Sequence, residues 1–145
     1  MRIVDLFSGA GGLTFGFYYR LENGQFVRTE NEFLFANEYD AHAATAFHIN
    51  YPDINMIQGK IQDLKEDQIK ELIGEDEVDI IIGGPPCQGF SVAGKMDVDD
   101  KRSQLIWSYA KVIEFTRPRA FIMENVKALG TLKKWEKIRE ALLEK

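Results

Sequence analysis

Cysteine is almost missing from this sequence, with Cys87 its one representative. A single thiol excludes an internal disulfide framework and any multi-cysteine zinc site, so no metal ligands are assigned. It points to a reducing compartment such as the cytoplasm and leaves Cys87 to be explained by packing or by chemistry. Long apolar runs are also missing: none approaches the roughly 20 residues of a membrane-spanning helix. The start, Met1-Arg2-Ile3-Val4-Asp5-Leu6-Phe7, meets an acid too early for a signal peptide. Positive charge is in deficit, with 18 Lys and Arg against 23 Asp and Glu for a net charge of −5. That balance argues against a basic nucleic-acid clamp made by the whole domain, but not against a local DNA site or a basic partner. There is no internal repeat and no low-complexity tract. The 145 residues, 45% of them hydrophobic, suit one domain with a real core.

Apolar runs of strand length alternate with stretches of helical period. Strands are predicted at 3–7, 33–36, 54–57, 78–82 and 120–123. Helices are predicted at 13–21, where Phe17 and Leu21 stand four apart, at 41–50 before Pro52, at 64–73 with Gly74 as the stop, at 105–113, and at 132–142. The polar stretch 22–32 reads as a loop around Asn23-Gly24. Run 78–82 is apolar on both faces apart from Asp79, as a buried parallel strand should be. Strands alternating with helices in this way predict a right-handed, doubly wound α/β sheet.

In such a sheet ligands bind beyond the carboxyl ends of the strands, and the distinctive residues fall at those ends. After the first strand comes Ser8-Gly9-Ala10-Gly11-Gly12, where glycines allow a sharp turn and the next helix offers free N–H groups. A dinucleotide fingerprint would need a further glycine where Thr14 stands, so the match to an NAD site fails. After the second strand, Glu38 can accept both hydroxyls of a ribose, Tyr39 can lie against a base, and Asp40 is placed to cap the following helix. After the fourth strand, Gly83-Gly84-Pro85-Pro86-Cys87-Gln88-Gly89-Phe90-Ser91 sets the thiol behind two prolines that fix φ. A stiff approach suits a nucleophile that must be positioned before attack, although a buried inert cysteine is common in general. After the fifth strand, Glu124 in Glu124-Asn125-Val126 is a carboxyl that partial desolvation can keep protonated near neutrality.

Together, Asp5 to Gly12, the segment Gly84-Pro85-Pro86-Cys87-Gln88-Gly89-Phe90-Ser91, Asp100-Lys101-Arg102-Ser103-Gln104-Leu105 and Glu124-Asn125-Val126 resemble the cytosine-5 DNA methyltransferases along nearly the whole chain. The resemblance implies a mostly parallel Rossmann-like sheet of the S-adenosylmethionine-dependent methyltransferase type, here incomplete. It implies S-adenosyl-L-methionine as cofactor, its amino-acid end at Phe7, Gly9, Ala10, Gly11 and Gly12, its ribose on Glu38, its adenine between Tyr39 and Ile61, and Leu105 lining the same pocket. It assigns Cys87 as the nucleophile that adds to carbon 6 of cytosine, Glu124 as the acid at the ring N3 and amino group, and Gln88 and Ser91 as residues near the DNA. The substrate would be double-stranded DNA with the target cytosine flipped out.

Lys60 departs from the family pattern, which has an acid there to meet the adenine amino group. Lys60 cannot accept that hydrogen bond, so either Asp63 substitutes or cofactor affinity falls. The later Gln-x-Arg-x-Arg segment and target-recognition domain of the family do not occur before Lys145. The resemblance therefore implies that 1–145 is the N-terminal part of the catalytic, cofactor-binding domain, as a fragment or one subunit of a split enzyme. A C-terminal fragment or second subunit would carry the recognition domain, and the protein would work in a prokaryotic cytoplasm at the nucleoid. The other readings are a non-catalytic S-adenosylmethionine-binding or assembly subunit, a tRNA cytosine-5 methyltransferase and, against Thr14, a dinucleotide oxidoreductase.

Overall fold

A computed structural model describes residues 1–75, 77–86, 104–127 and the single positions 136 and 140. The elements run β1 (Arg2–Leu6), α1 (Gly12–Tyr18), β2 (Tyr19–Glu22), β3 (Gln25–Arg28), β4 (Glu32–Glu38), α2 (Ala41–Asn50), β5 (Met56–Gln58), a 3₁₀ turn (Ile61–Asp63), α3 (Glu66–Ile73), β6 (Ile80–Gly83), α4 (Gln104–Thr116) and β7 (Ala120–Met123). Five strands form one sheet in the order β5-β4-β1-β6-β7, every neighbouring pair parallel. The chain leaves β1 toward one edge through β4 and β5, then crosses back to continue through β6 and β7. The expected doubly wound, Rossmann-like α/β sheet is therefore present, with its reversal of direction between β1 and β6.

Alternation along the central strands builds two cores. Val4, Leu6 and Ile81 face α3 and α4, where Ile69, Ile106 and Tyr109 close the layer. Ile3, Ile80 and Ile82 face the other side, against Tyr18, Phe47 and Tyr51. A register shift between Ile3 and Val4, opposite Phe33 and Phe35, lets Leu34 and Phe35 both contribute to the α3/α4 side. Gly83 shows how tightly β1 and β6 close at their carboxyl ends: a Cβ there would lie 2.2 Å from the Leu6 carbonyl oxygen. No side chain larger than hydrogen fits without parting the strands at the point where they frame the site. Among the described residues, no helix is long and apolar enough to cross a membrane.

Three expectations about the elements are corrected. The helix predicted over 13–21 ends at Tyr18, and the predicted loop 22–32 contains half of an antiparallel hairpin, β2 with β3. Asn23 (φ 50°) and Gly24 (φ 78°) are the two left-handed residues of its turn, the conformation that favours Asn-Gly in two-residue hairpins. The hairpin is anchored by polar contacts: Arg28 lies 3.7 Å over the Tyr18 ring and pairs with Asp53 at 3.2 Å. The third predicted strand also moves, from 54–57 to Met56–Gln58, because Ile54 turns into the core beside Tyr51. The helix predicted over 132–142 lies outside the described residues apart from helical positions 136 and 140.

Candidate cofactor and catalytic site

The turn after β1 is held by backbone geometry and by one carboxylate. Phe7 takes a left-handed conformation (φ 57°), an uncommon one for a bulky residue, and turns its ring toward the cleft. Gly9 (φ 56°) follows, and its N–H donates to Glu38 Oε2 at 2.8 Å. The other oxygen of Glu38 accepts from the Asp40 N–H at 2.7 Å. Both oxygens are thus oriented by main-chain donors, and each keeps a further lone pair for a ligand hydroxyl. Asp40 caps α2 as expected, its carboxylate accepting from the Ala43 N–H at 2.9 Å. Gly11 is glycine for a different reason from ligand approach. At φ 94° it stands against the Tyr51 ring, 2.2 Å from where a Cβ would sit, while the Tyr51 hydroxyl donates to its carbonyl.

Beneath this turn lies a buried carboxyl. Asp5, fully buried on β1, accepts a hydrogen bond from the Thr14 hydroxyl through Oδ2, and its Oδ1 finds no partner among the described residues. Burial is the main cause that pushes its pKa up to about 7; the Thr14 hydrogen bond opposes the shift and the Glu38 charge adds to it.

A cleft of about 550 Å³ opens at the carboxyl ends of the strands, at the point where the strand order reverses. Five of the residues named from sequence line it together: Phe7, Glu38, Tyr39, Ile61 and Leu105. Ile61 is buried and forms a fixed floor, whereas Tyr39 is 65% exposed at the rim. Gly9 touches the cleft through Glu38; Ala10, Gly11 and Gly12 form the turn beyond it and are not among its lining residues. Lys60, which the resemblance put at the adenine amino group, also lines the cleft; sequence reasoning did not assign Asn37, Gln62, Gly84, Pro86 and Gln104 to it. Asn37 had a readable signal as a polar residue inside an apolar strand. Its amide donates to the carbonyls of Ile57 (2.9 Å) and Gly59 (3.0 Å), which fixes the turn after β5 against β4.

The cleft runs toward the ends of β6 and β7. The Glu124 N–H donates to the Gly83 carbonyl at 2.9 Å, and its carboxylate lies over Gly84, where a Cβ would meet Glu124 Oε2 at 3.3 Å. Glu124 is exposed, not half-desolvated as the sequence suggested, because β7 is the outer strand of the described sheet. Asn125, which sequence reasoning left without a role, donates its amide to the Pro85 carbonyl at 2.9 Å. That bond ties the backbone two residues before Cys87 to the strand end that carries Glu124. Cys87, Gln88 and Ser91 themselves lie outside the described residues.

A parallel sheet with a ligand-sized cleft at its switch point, an oriented carboxylate at the end of β4 and an acid beyond it are features of the S-adenosylmethionine-dependent, Rossmann-like methyltransferase class. The family model of the C-5 cytosine-specific DNA methylases matches residues 1–144, and the chain belongs to that family. It is similar to the Type II methyltransferase M1.HphI of Haemophilus parahaemolyticus, with 38% identity over 134 residues, 90% of this chain and 34% of the relative. It is 40% identical to the Type II methyltransferase M.NgoPII of Neisseria gonorrhoeae over 89% of this chain and 34% of that one. The solved structure of a Spodoptera frugiperda DNMT2 mutant superposes with a TM-score of 0.71 at 27% identity, covering 99% of this chain and 40% of the other. The chain thus spans about a third of the length of these two curated relatives. S-adenosylmethionine is the cofactor the family uses. The residues present fit it: an oriented acid for a diol, an apolar floor and an aromatic rim for a base, and glycine-rich backbone beside them.

Proposed function

We propose that residues 1–145 form the N-terminal, cofactor-binding part of a catalytic domain that methylates carbon 5 of cytosine in DNA, completed by segments like those the relatives carry beyond the matched region. Glu38 holds the ribose hydroxyls, Tyr39, Ile61 and Leu105 enclose the base, and the turn Phe7 to Gly12 receives the amino-acid end. The thiolate of Cys87 adds to carbon 6 of a flipped cytosine, pushing electrons toward carbon 5 and N3. The Glu124 carboxyl serves as the acid at N3 and stabilises the charge arriving there. When bound, S-adenosylmethionine supplies the electrophilic methyl group that the activated carbon 5 takes. The proton on carbon 5 then leaves to a base, the Cys87–carbon 6 bond breaks and the thiolate is released. Gln88 and Ser91 lie near the DNA, and a separate C-terminal segment or subunit supplies sequence recognition. The reaction runs in the cytoplasm at the nucleoid.

The observation that carries this reading is the union of two features in one cleft. Glu38, aimed by the Gly9 and Asp40 N–H groups, lines one end. Gly84, which lies beside Glu124, and Pro86, the residue before Cys87, line the other. Calorimetric titration tests it: S-adenosylhomocysteine is expected to bind in preference to NAD. Glu38→Ala is expected to weaken it tenfold to a hundredfold, the loss of charge-assisted hydrogen bonds of about 1.5–3 kcal/mol. Tighter binding of NAD overturns the assignment.

A further inference from the structure

The β2–β3 hairpin leaves the fold between the end of α1 and the start of β4, where the Glu32 N–H donates to the Met1 carbonyl at 2.9 Å. That is the amino end of the sheet, opposite the cleft. Cross-strand partners share a face, so Tyr19, Leu21 and Phe26 stand together on one side of the ribbon. The Phe15 ring of α1 packs against them, its centroid 5.3 Å from that of Tyr19 and 5.0 Å from that of Phe26. Leu21 and Phe26 nonetheless remain 65% and 62% exposed. Arg20 and Glu22 lie on the opposite side, paired with each other at 2.7 Å. The Arg28–Asp53 pair ties the base of the hairpin to the body of the protein, so this apolar face is held in place.

The outer edge of β2 is open. A two-residue turn makes Glu22 and Gln25 a hydrogen-bonded pair, and hydrogen-bonded and non-hydrogen-bonded pairs alternate along an antiparallel ladder. Leu21 and Phe26 therefore form a non-hydrogen-bonded pair, and the Leu21 N–H and carbonyl point away from β3. No described strand pairs with that edge, and β2 has neither proline nor bulge to block it. Its two charges, Arg20 and Glu22, stand one residue on either side of Leu21. About a twofold axis at Leu21, a second β2 runs antiparallel to the first. Leu21 then meets its own copy, and Arg20 and Glu22 each face the opposite charge on the other chain. That register makes Leu21 and its copy a hydrogen-bonded pair, as the outward direction of its backbone groups requires. The order Arg20-Leu21-Glu22 is thus self-complementary, and a chain of net charge −5, whose copies repel at long range, needs such a local match to meet itself.

We propose that β2 is a self-docking edge, through which two copies of this chain join their hairpins into one four-stranded antiparallel sheet with Leu21 and Phe26 of both copies on a continuous apolar face. The inference is independent of the cofactor reading, and both clefts stay open because the edge lies at the other end of the sheet. The contact is small, so association is expected to be weak and concentration-dependent. The test is sedimentation equilibrium of the unaltered protein, of Arg20→Glu and of Glu22→Arg, from low-micromolar to sub-millimolar concentration. The unaltered protein is expected to approach twice its monomer mass across that range. Arg20→Glu sets carboxylate against carboxylate and Glu22→Arg sets guanidinium against guanidinium, and each alone is expected to dimerise at least tenfold more weakly. An equimolar mixture of the two variants restores opposite charges at both positions and is expected to dimerise as tightly as the unaltered protein. Because the mixture holds only the two weakened chains, its recovery excludes a folding defect as the cause. A monomer at every concentration, a dimer that neither substitution weakens, or a mixture no tighter than its components overturns the proposal.

Discussion

Cys87→Ser is expected to lower methyl transfer to DNA by more than about a thousandfold, since a serine hydroxyl is scarcely ionised near neutral pH whereas a thiol titrating near 8.5 is a few per cent thiolate. The assay is tritiated methyl transfer by the protein joined to segments of the kind its relatives carry beyond the matched region. Glu124→Gln is expected to retain more activity than Cys87→Ser. An amide still donates at N3 but delivers no proton, and general-acid contributions run to about 10²–10⁴-fold. The covalent step has its own readout. DNA carrying 5-fluorocytosine is expected to trap an adduct with the unaltered protein, because fluorine cannot leave carbon 5 as a proton. Two described residues that precede Cys87 are held: Pro85 by the Asn125 amide, and Gly84 under the Glu124 carboxylate. Cys87 is the one thiol of the 145 residues, so an adduct on cysteine within them maps to it. A trapped adduct that persists in Cys87→Ser, or transfer that survives that substitution, removes Cys87 from the mechanism.

How much of this was legible in the residues depended on what each signal was fixed by. The five parallel strands declared themselves because strands buried on both faces must be continuously apolar, and Ile80-Ile81-Ile82 could be little else. The hairpin was hidden for the opposite reason. Leu21, Phe26 and Val27 are exposed, so no buried face imposed an in–out alternation, and Asn23-Gly24 alone looked like a loop. Of the cleft, Glu38 was readable from its type and its place at the end of β4, whereas the glycines after β1, also singled out, are not among the lining residues. The way Glu38 is used was not, because its bonds to Gly9 and Asp40 join two strand ends that only the sheet brings together. Gly11 carried a signal that meant something else, since the close approach it permits is to Tyr51, 40 residues away. Lys60 stood out in the sequence as an exception to the family pattern, and it lines the cleft.

Asp5→Asn is expected to flatten the pH dependence of stability between about pH 4 and 7. An ordinary aspartate titrates at 3.8, and burial raises Asp5 in the folded protein to about 7. The folded state therefore keeps its proton over a range where the unfolded chain has lost it. A group raised in this direction contributes stability that is fully present below about pH 4 and is lost as the pH climbs through the window up to about 7. The rise from 3.8 to about 7 corresponds to roughly 4 kcal/mol as an upper limit. Ionisation is resisted from several sides. Burial is the main cause, Oδ1 has no partner among the described residues, and Glu38 adds a like charge, while the one donor, Thr14, works the other way. Asparagine has the same shape and cannot ionise, while the Thr14 hydroxyl can still pair with its amide. Its NH₂ group, facing a pocket built for a carboxyl, costs about 1–3 kcal/mol if left unpaired. The melting temperature of the unaltered protein is therefore expected to fall steadily from pH 4 to pH 7.5, while that of Asp5→Asn changes much less. The two curves should converge or cross toward the alkaline end. Parallel curves over that range would show that Asp5 is not the buried group whose ionisation weakens the fold beneath the Gly9–Gly12 turn.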